Sequence, residues 1–82
     1  MKLINIGYGN LINADRIVTV VSPDAAPVKR MVAEAKEHGA LIDATCGKKT
    51  KAVILTDSNH IILTALSSDK LQSRAQEGDE NE

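Results

Sequence analysis

A single aromatic side chain, Tyr8, in 82 residues is what most limits this chain. With no Trp and no Phe, its core must be built from Ile, Leu, Val and Ala. Large aromatics carry much of the burial in small domains. A chain this short buries only about 60% of the surface its unfolded form exposes. Small domains are usually reinforced by disulfides, metals or self-association. Cys46 alone cannot close an intrachain disulfide, and with only His38 and His60 beside it no Cys-rich zinc site is expected. Self-association is the expected remedy. A lone free thiol also suits a reducing compartment. The start, Met1-Lys2-Leu3-Ile4-Asn5-Ile6, lacks the apolar run of a signal peptide, and no run approaches the ~20 residues of a membrane span. A cytoplasmic protein with no membrane partner is expected.

Net charge is −1. It divides unevenly: Glu77, Asp79, Glu80 and Glu82 crowd the end, and without them ten Lys+Arg face seven Asp+Glu. The organisation expected is one domain over residues 1–75, mildly basic, and an acidic disordered tail over 76–82. No internal repeat or linker interrupts it.

Residues 3–6 read as a short strand, Gly7-Tyr8-Gly9-Asn10 as a turn, and Leu11-Ile12 as the start of a second strand. Asn13-Ala14-Asp15-Arg16 breaks the pattern. The β-branched density of Ile17-Val18-Thr19-Val20-Val21 predicts a buried strand. A long helix follows, with Asp24 as N-cap and Pro27 at the third helical position, inside the first turn where no N–H is needed. Val28, Met31, Val32 and Ala35 form its apolar stripe. Arg30 and Glu34 are spaced to pair on its outer side. His38 and Gly39 close it. The remainder reads as antiparallel: a strand over 41–45, a turn over 46–51, a hairpin of strands 52–56 and 60–65 joined by Asp57-Ser58-Asn59, then a short helix from Ser68 to about Arg74. The fold class is therefore α+β: a small antiparallel-rich sheet, one main helix and a short C-terminal one.

Gly47-Lys48-Lys49-Thr50-Lys51 concentrates three ammonium groups and a hydroxyl on one connection. Like charges so close repel unless an anion sits between them, and phosphate is the obvious anion. The plain alternative is a solvated charged turn. Arg16, at the break before the most apolar strand, suits bidentate contact with phosphate or guanine; a surface pair with Asp15 or another acid is its alternative. Lys29 and Arg30 extend a basic surface or simply line an exposed helix face. Gly7-x-Gly9 lacks the third glycine and the strand–turn–helix context of a nucleotide loop. Cys46, His38 and His60 have nothing to hold them together as nucleophile and base, and Asp43 and Asp57 are more simply a strand-face acid and a turn former, so an enzyme is not expected, nor a cofactor or small-molecule substrate. One tyrosine offers no stacking platform for single-stranded nucleic acid, which leaves duplex as the form of nucleic acid that fits.

Several ordered stretches resemble the RemA family of bacterial regulators: residues 4–10 (Ile-Asn-Ile-Gly-Tyr-Gly-Asn), Ser22-Pro23-Asp24 with Ala26-Pro27 and Lys29-Arg30, Ile42-Asp43-Ala44-Thr45, and Asp57-Ser58-Asn59-His60 with Ile62-Leu63. The similarity runs from about Lys2 to Leu66. It implies a DNA-binding transcriptional regulator of extracellular-matrix and biofilm genes. It also implies a LytTR-like protomer assembled into a ring that binds duplex DNA. Weak contacts would then be multiplied around the ring. By the same resemblance Arg16, Lys48 and Lys49 are the DNA contacts, Lys51 is a further basic position, and Pro27 serves helix geometry or subunit packing. The family's usual Gly-Arg-Arg-Thr-Arg run is here Gly47-Lys48-Lys49-Thr50-Lys51, with lysine at every arginine position. Charge is kept and the planar fork is lost. The alternative is a structural self-assembly or protein-adaptor module that binds no nucleic acid.

Overall fold

A computed structural model describes the backbone of residues 1–80 and the side chains of residues 1–76. Strands β1 (Leu3–Asn5) and β2 (Leu11–Asn13) form an antiparallel hairpin. The Gly7–Asn10 turn closes it, with Asn10 N–H donating to the Gly7 carbonyl at 3.0 Å. Tyr8 and Gly9 both take positive φ there, +55° and +78°. A single 3-10 turn, Ala14–Arg16, leads into β3 (Ile17–Val21). Helix α1 (Ala26–Glu37), β4 (Leu41–Asp43), β5 (Ala52–Thr56), β6 (Ile61–Thr64) and helix α2 (Ser68–Glu80) follow. The second sheet has the order β3-β5-β6-β4.

Alternation along β5 explains the two cores. Ala52 and Ile54 face one side of the sheet, where they pack with Ile4, Ile6 and Ile12 of the hairpin, Ile62 of β6 and Leu71 of α2. Val53 faces the other, where Val28 and Ala35 of α1 and Ile61 of β6 close over it. The central strand is thus buried on both faces, and Val53 and Ile54 are completely inaccessible. The expected helical stripe is the one that packs: Val28 and Ala35 are buried, and Met31 and Val32 lie against them. Arg74 Nη1 donates to the Asn5 carbonyl at 2.8 Å, tying α2 to the hairpin.

The α+β class holds, with five departures from the sequence reading. β3 is not a buried strand but an edge. A bulge between Ile17 and Thr19 keeps Ile17 and Val20 turned to the same core, and leaves Val18 65% exposed. β-Branched residues suit any pleated surface, so their density does not separate an edge from a centre. β4 runs parallel to β6, not antiparallel, because α1 carries the chain across to the far edge before it re-enters the sheet. The cap of α1 is Ala25, one residue after Asp24, with no side-chain hydrogen bond; Ser22 Oγ instead accepts from the Asp24 N–H. Pro27 is consequently the second helical residue rather than the third. Arg30 and Glu34 form no ion pair among the described residues. Helix α2 continues to Glu80, past Arg74. The acidic side chains of the expected tail, Glu77 onward, lie outside the described residues.

Candidate nucleic-acid interface

The connection from β4 to β5 crosses over the C-terminal end of β6. Ala44 N–H donates to the Leu63 carbonyl at 2.9 Å, and Lys51 N–H to the Thr64 carbonyl at 2.9 Å. Between these anchors the chain makes a tight turn, closed by Lys48 N–H donating to the Thr45 carbonyl at 3.0 Å. Its two central residues, Cys46 and Gly47, have φ of +54° and +79°. That pair of positive angles defines a type I′ turn. Glycine accepts it freely, whereas cysteine pays for it.

Asp43 braces this turn. Its Oδ1 accepts from Thr45 N–H at 2.9 Å and from Thr45 Oγ1 at 2.6 Å. Thr45 itself is buried. The Thr45 hydroxyl, and after it the Thr45 amide, hold the Asp43 carboxyl below its ordinary range, because both donate to its charged form. The turn presents Lys48 and Lys49, both exposed, and Lys51 is exposed one step before β5. None of the three ammonium groups forms an ion pair with a described residue. Lys29 of α1 reaches the same end of the protomer, sharing a shallow groove with Thr50, Pro23 and Val32. Pro27 is exposed in the first turn of that helix.

Arg16 lies elsewhere. Ile17 pairs with Thr56, and Val21 with Val53. Arg16, level with Asp57, therefore stands at the far end of β5 from Lys51, about 20 Å along the strand at ~3.3 Å per residue. Its Nε donates to Asp57 Oδ1 at 2.7 Å, while Asp57 N–H donates back to the Arg16 carbonyl at 3.0 Å. The sequence alternative of a surface pair with an acid is thus realised, with Asp57 rather than Asp15. Both side chains stay about half exposed, at 59% and 49%. Such a pair contributes about 0–1 kcal/mol to stability, so its effect is on geometry. The hairpin turn beside it is held by Thr56, Ser58 and His60: Ser58 Oγ meets His60 Nδ1 at 2.8 Å and Thr56 Oγ1 at 3.0 Å.

Of the residues singled out from sequence, Lys48, Lys49 and Lys51 come together, Pro27 belongs to the neighbouring helix start, and Arg16 is separate. Asp43 and Asp57 read from sequence as a strand-face acid and a turn former. The Asp43-x-Thr45 spacing, in which a carboxylate bonds backbone two residues on, was the available signal for the first.

The extracellular matrix regulatory protein A-like (RemA-like) family model matches residues 3–75. The chain belongs to the RemA-like family. A Clostridium botulinum relative is 52% identical over 86 aligned positions, covering 100% of this chain and 94% of the relative. Relatives from Geobacillus thermodenitrificans and Acetivibrio thermocellus are 54% and 55% identical over 74 positions, with 90% of this chain covered and 85% and 80% of theirs. The names of these proteins give them a regulatory role and no more. RemA-like membership thus supports a regulatory role for this chain. No helix among the described residues is long and apolar enough to cross a membrane.

Proposed function

We propose that this RemA-like protein regulates transcription in the cytoplasm by binding duplex DNA as a homo-oligomer, acting on extracellular-matrix genes as its family name suggests. The observation that carries the reading is the braced turn: three exposed lysines with no acidic partner among the described residues, on a backbone already shaped before any ligand arrives. Rigid presentation lowers the ordering cost of binding. Lysine gives point charges rather than a fork, so this turn grips phosphates, and DNA shape and deformability dominate sequence preference.

A separate feature supports self-association. Both outer strands of the four-stranded sheet, β3 and β4, are unpaired edges, and β3 carries no charge and no proline. Exposed apolar edges invite pairing with another chain. A closed ring of copies repeats each basic turn and multiplies its weak affinity. The same edge favours a second reading, an assembly module without nucleic acid. Titrating a long duplex separates the two: DNA binding requires an affinity that falls steeply with salt, and an assembly module shows none even at low salt.

A further inference from the structure

We propose that Asp57 is the positioning residue of a second DNA contact, holding Arg16 so that its guanidinium meets a phosphate of duplex DNA with both terminal nitrogens. The inference rests on the duplex-binding reading above and adds a residue to it.

The geometry carries it. Asp57 takes only the Nε–H of Arg16, at 2.7 Å. Nη1 and Nη2 have no partner among the described residues, so the end-on fork of the guanidinium stays open. A free arginine side chain loses about 2 kcal/mol of rotamer entropy when it is fixed. Fixing it beforehand through Nε removes part of that cost from binding. Asp57 is itself fixed: its N–H donates to the Arg16 carbonyl, and the hairpin turn that carries it is closed by Asn59 N–H donating to Thr56 and by the Thr56–Ser58–His60 hydroxyl and imidazole contacts. The Arg16 backbone is equally constrained, at the end of a 3-10 turn whose start is capped by Asn13 Oδ1 accepting from Asp15 N–H at 3.0 Å. Two rigid turns thus hold the two ends of one hydrogen bond, although they are 41 residues apart in sequence.

The carboxylate has an opposing effect, since its negative charge weakens attraction to DNA. Two substitutions separate charge from orientation. Asp57→Asn removes the charge and keeps an oxygen that accepts from Nε; Asp57→Ala removes both. The backbone bond from residue 57 to the Arg16 carbonyl survives in each, which favours retention of the fold. A third variant, Arg16→Ala, defines the contact itself.

The experiment is a fluorescence-anisotropy titration of a long duplex with the full-length protein at two salt concentrations. Circular dichroism and light scattering are run on every variant. The proposal expects Asp57→Asn to bind at least as tightly as the parent and Asp57→Ala about fivefold more weakly than Asp57→Asn, the loss of one hydrogen bond's worth of preorganisation. In an Arg16→Ala background the two variants become equal, a result that a purely structural role for Asp57 would not give. Equal affinities of Asp57→Asn and Asp57→Ala with Arg16 intact overturn the inference and leave DNA binding standing. Unchanged binding by Arg16→Ala overturns it by removing the contact. No binding by the parent removes the reading on which it rests.

Discussion

Arg16 and Lys51 stand at opposite ends of the β3–β5 ladder, each exposed, with the completely buried Val53 and Ile54 between them. One protomer therefore presents these basic side chains at two separate ends rather than in one continuous patch. Their separation, about 20 Å along the strand, matches about six base pairs of a duplex at 3.4 Å per step. Truncating the two sites in one protein should therefore reduce affinity additively, since they share no partner. Double-mutant cycles on duplex binding with Arg16→Ala and Lys48→Ala test this, and a coupling well above about 0.5 kcal/mol would show that the two sites do not act independently.

Acid should weaken the basic turn. The Asp43 carboxyl is held below its ordinary value by Thr45, so its contribution is present above the unfolded value near 4 and is lost as pH falls through the lower folded value. Replacing Asp43 with Ala should flatten the acid limb of the stability profile. Urea midpoints at neutral pH and near pH 3 read this: the parent loses more between them than the variant. An identical loss in both proteins would show that the brace is not formed in solution.

The turn's backbone makes a second demand. Gly47 has φ of +79° with no atom within 4 Å of where a Cβ would stand, so conformation and not space opposes a side chain there. Gly47→Val should cost about 1–2 kcal/mol and weaken duplex binding, because the lysines lose their fixed platform. Cys46→Asn should be neutral or stabilising, since Asn tolerates the left-handed region better. Denaturant midpoints for the pair check the sign at each position.

Val18 tests the sheet edge. It is 65% exposed in the middle of β3, and lysine at that position is the kind of charge that blunts an edge. Val18→Lys should retain the circular dichroism spectrum of the parent and lower its mass by light scattering. A variant with the parent's mass would move the subunit contact away from β3.

The core offers a control. Ile54→Ala empties a completely buried position on the strand that carries both core faces, at a cost of about 2–5 kcal/mol. Thermal unfolding should occur at least ~8 °C lower.

Much of this architecture was legible in the residues. The apolar runs read at 52–56 and 60–65 and the stripe Val28, Met31, Val32, Ala35 are strong periodic signals, and they supply β5, β6 (within the second run) and the inner face of α1. What was not legible depends on long-range placement. Ile17–Val21 has the composition of a central strand, but strand order put it at an edge. Leu41–Asp43 pairs parallel with β6 because of where α1 delivers it, and three residues carry no sign of direction. The basic run showed its charge in sequence, but its brace involves Asp43, which looked like an ordinary strand acid. Arg16 meets Asp57 across 41 residues, a contact that neither local pattern announces.

The measurement that bears most directly on the central claim compares the parent with Lys48→Ala/Lys49→Ala in duplex titrations at several salt concentrations, with the mass of both followed by light scattering. The account predicts steep salt dependence in the parent. It predicts a slope smaller by up to about 1 for each lysine removed from each bound subunit, with both proteins remaining oligomers. Equal slopes, in two proteins of equal mass, would contradict it.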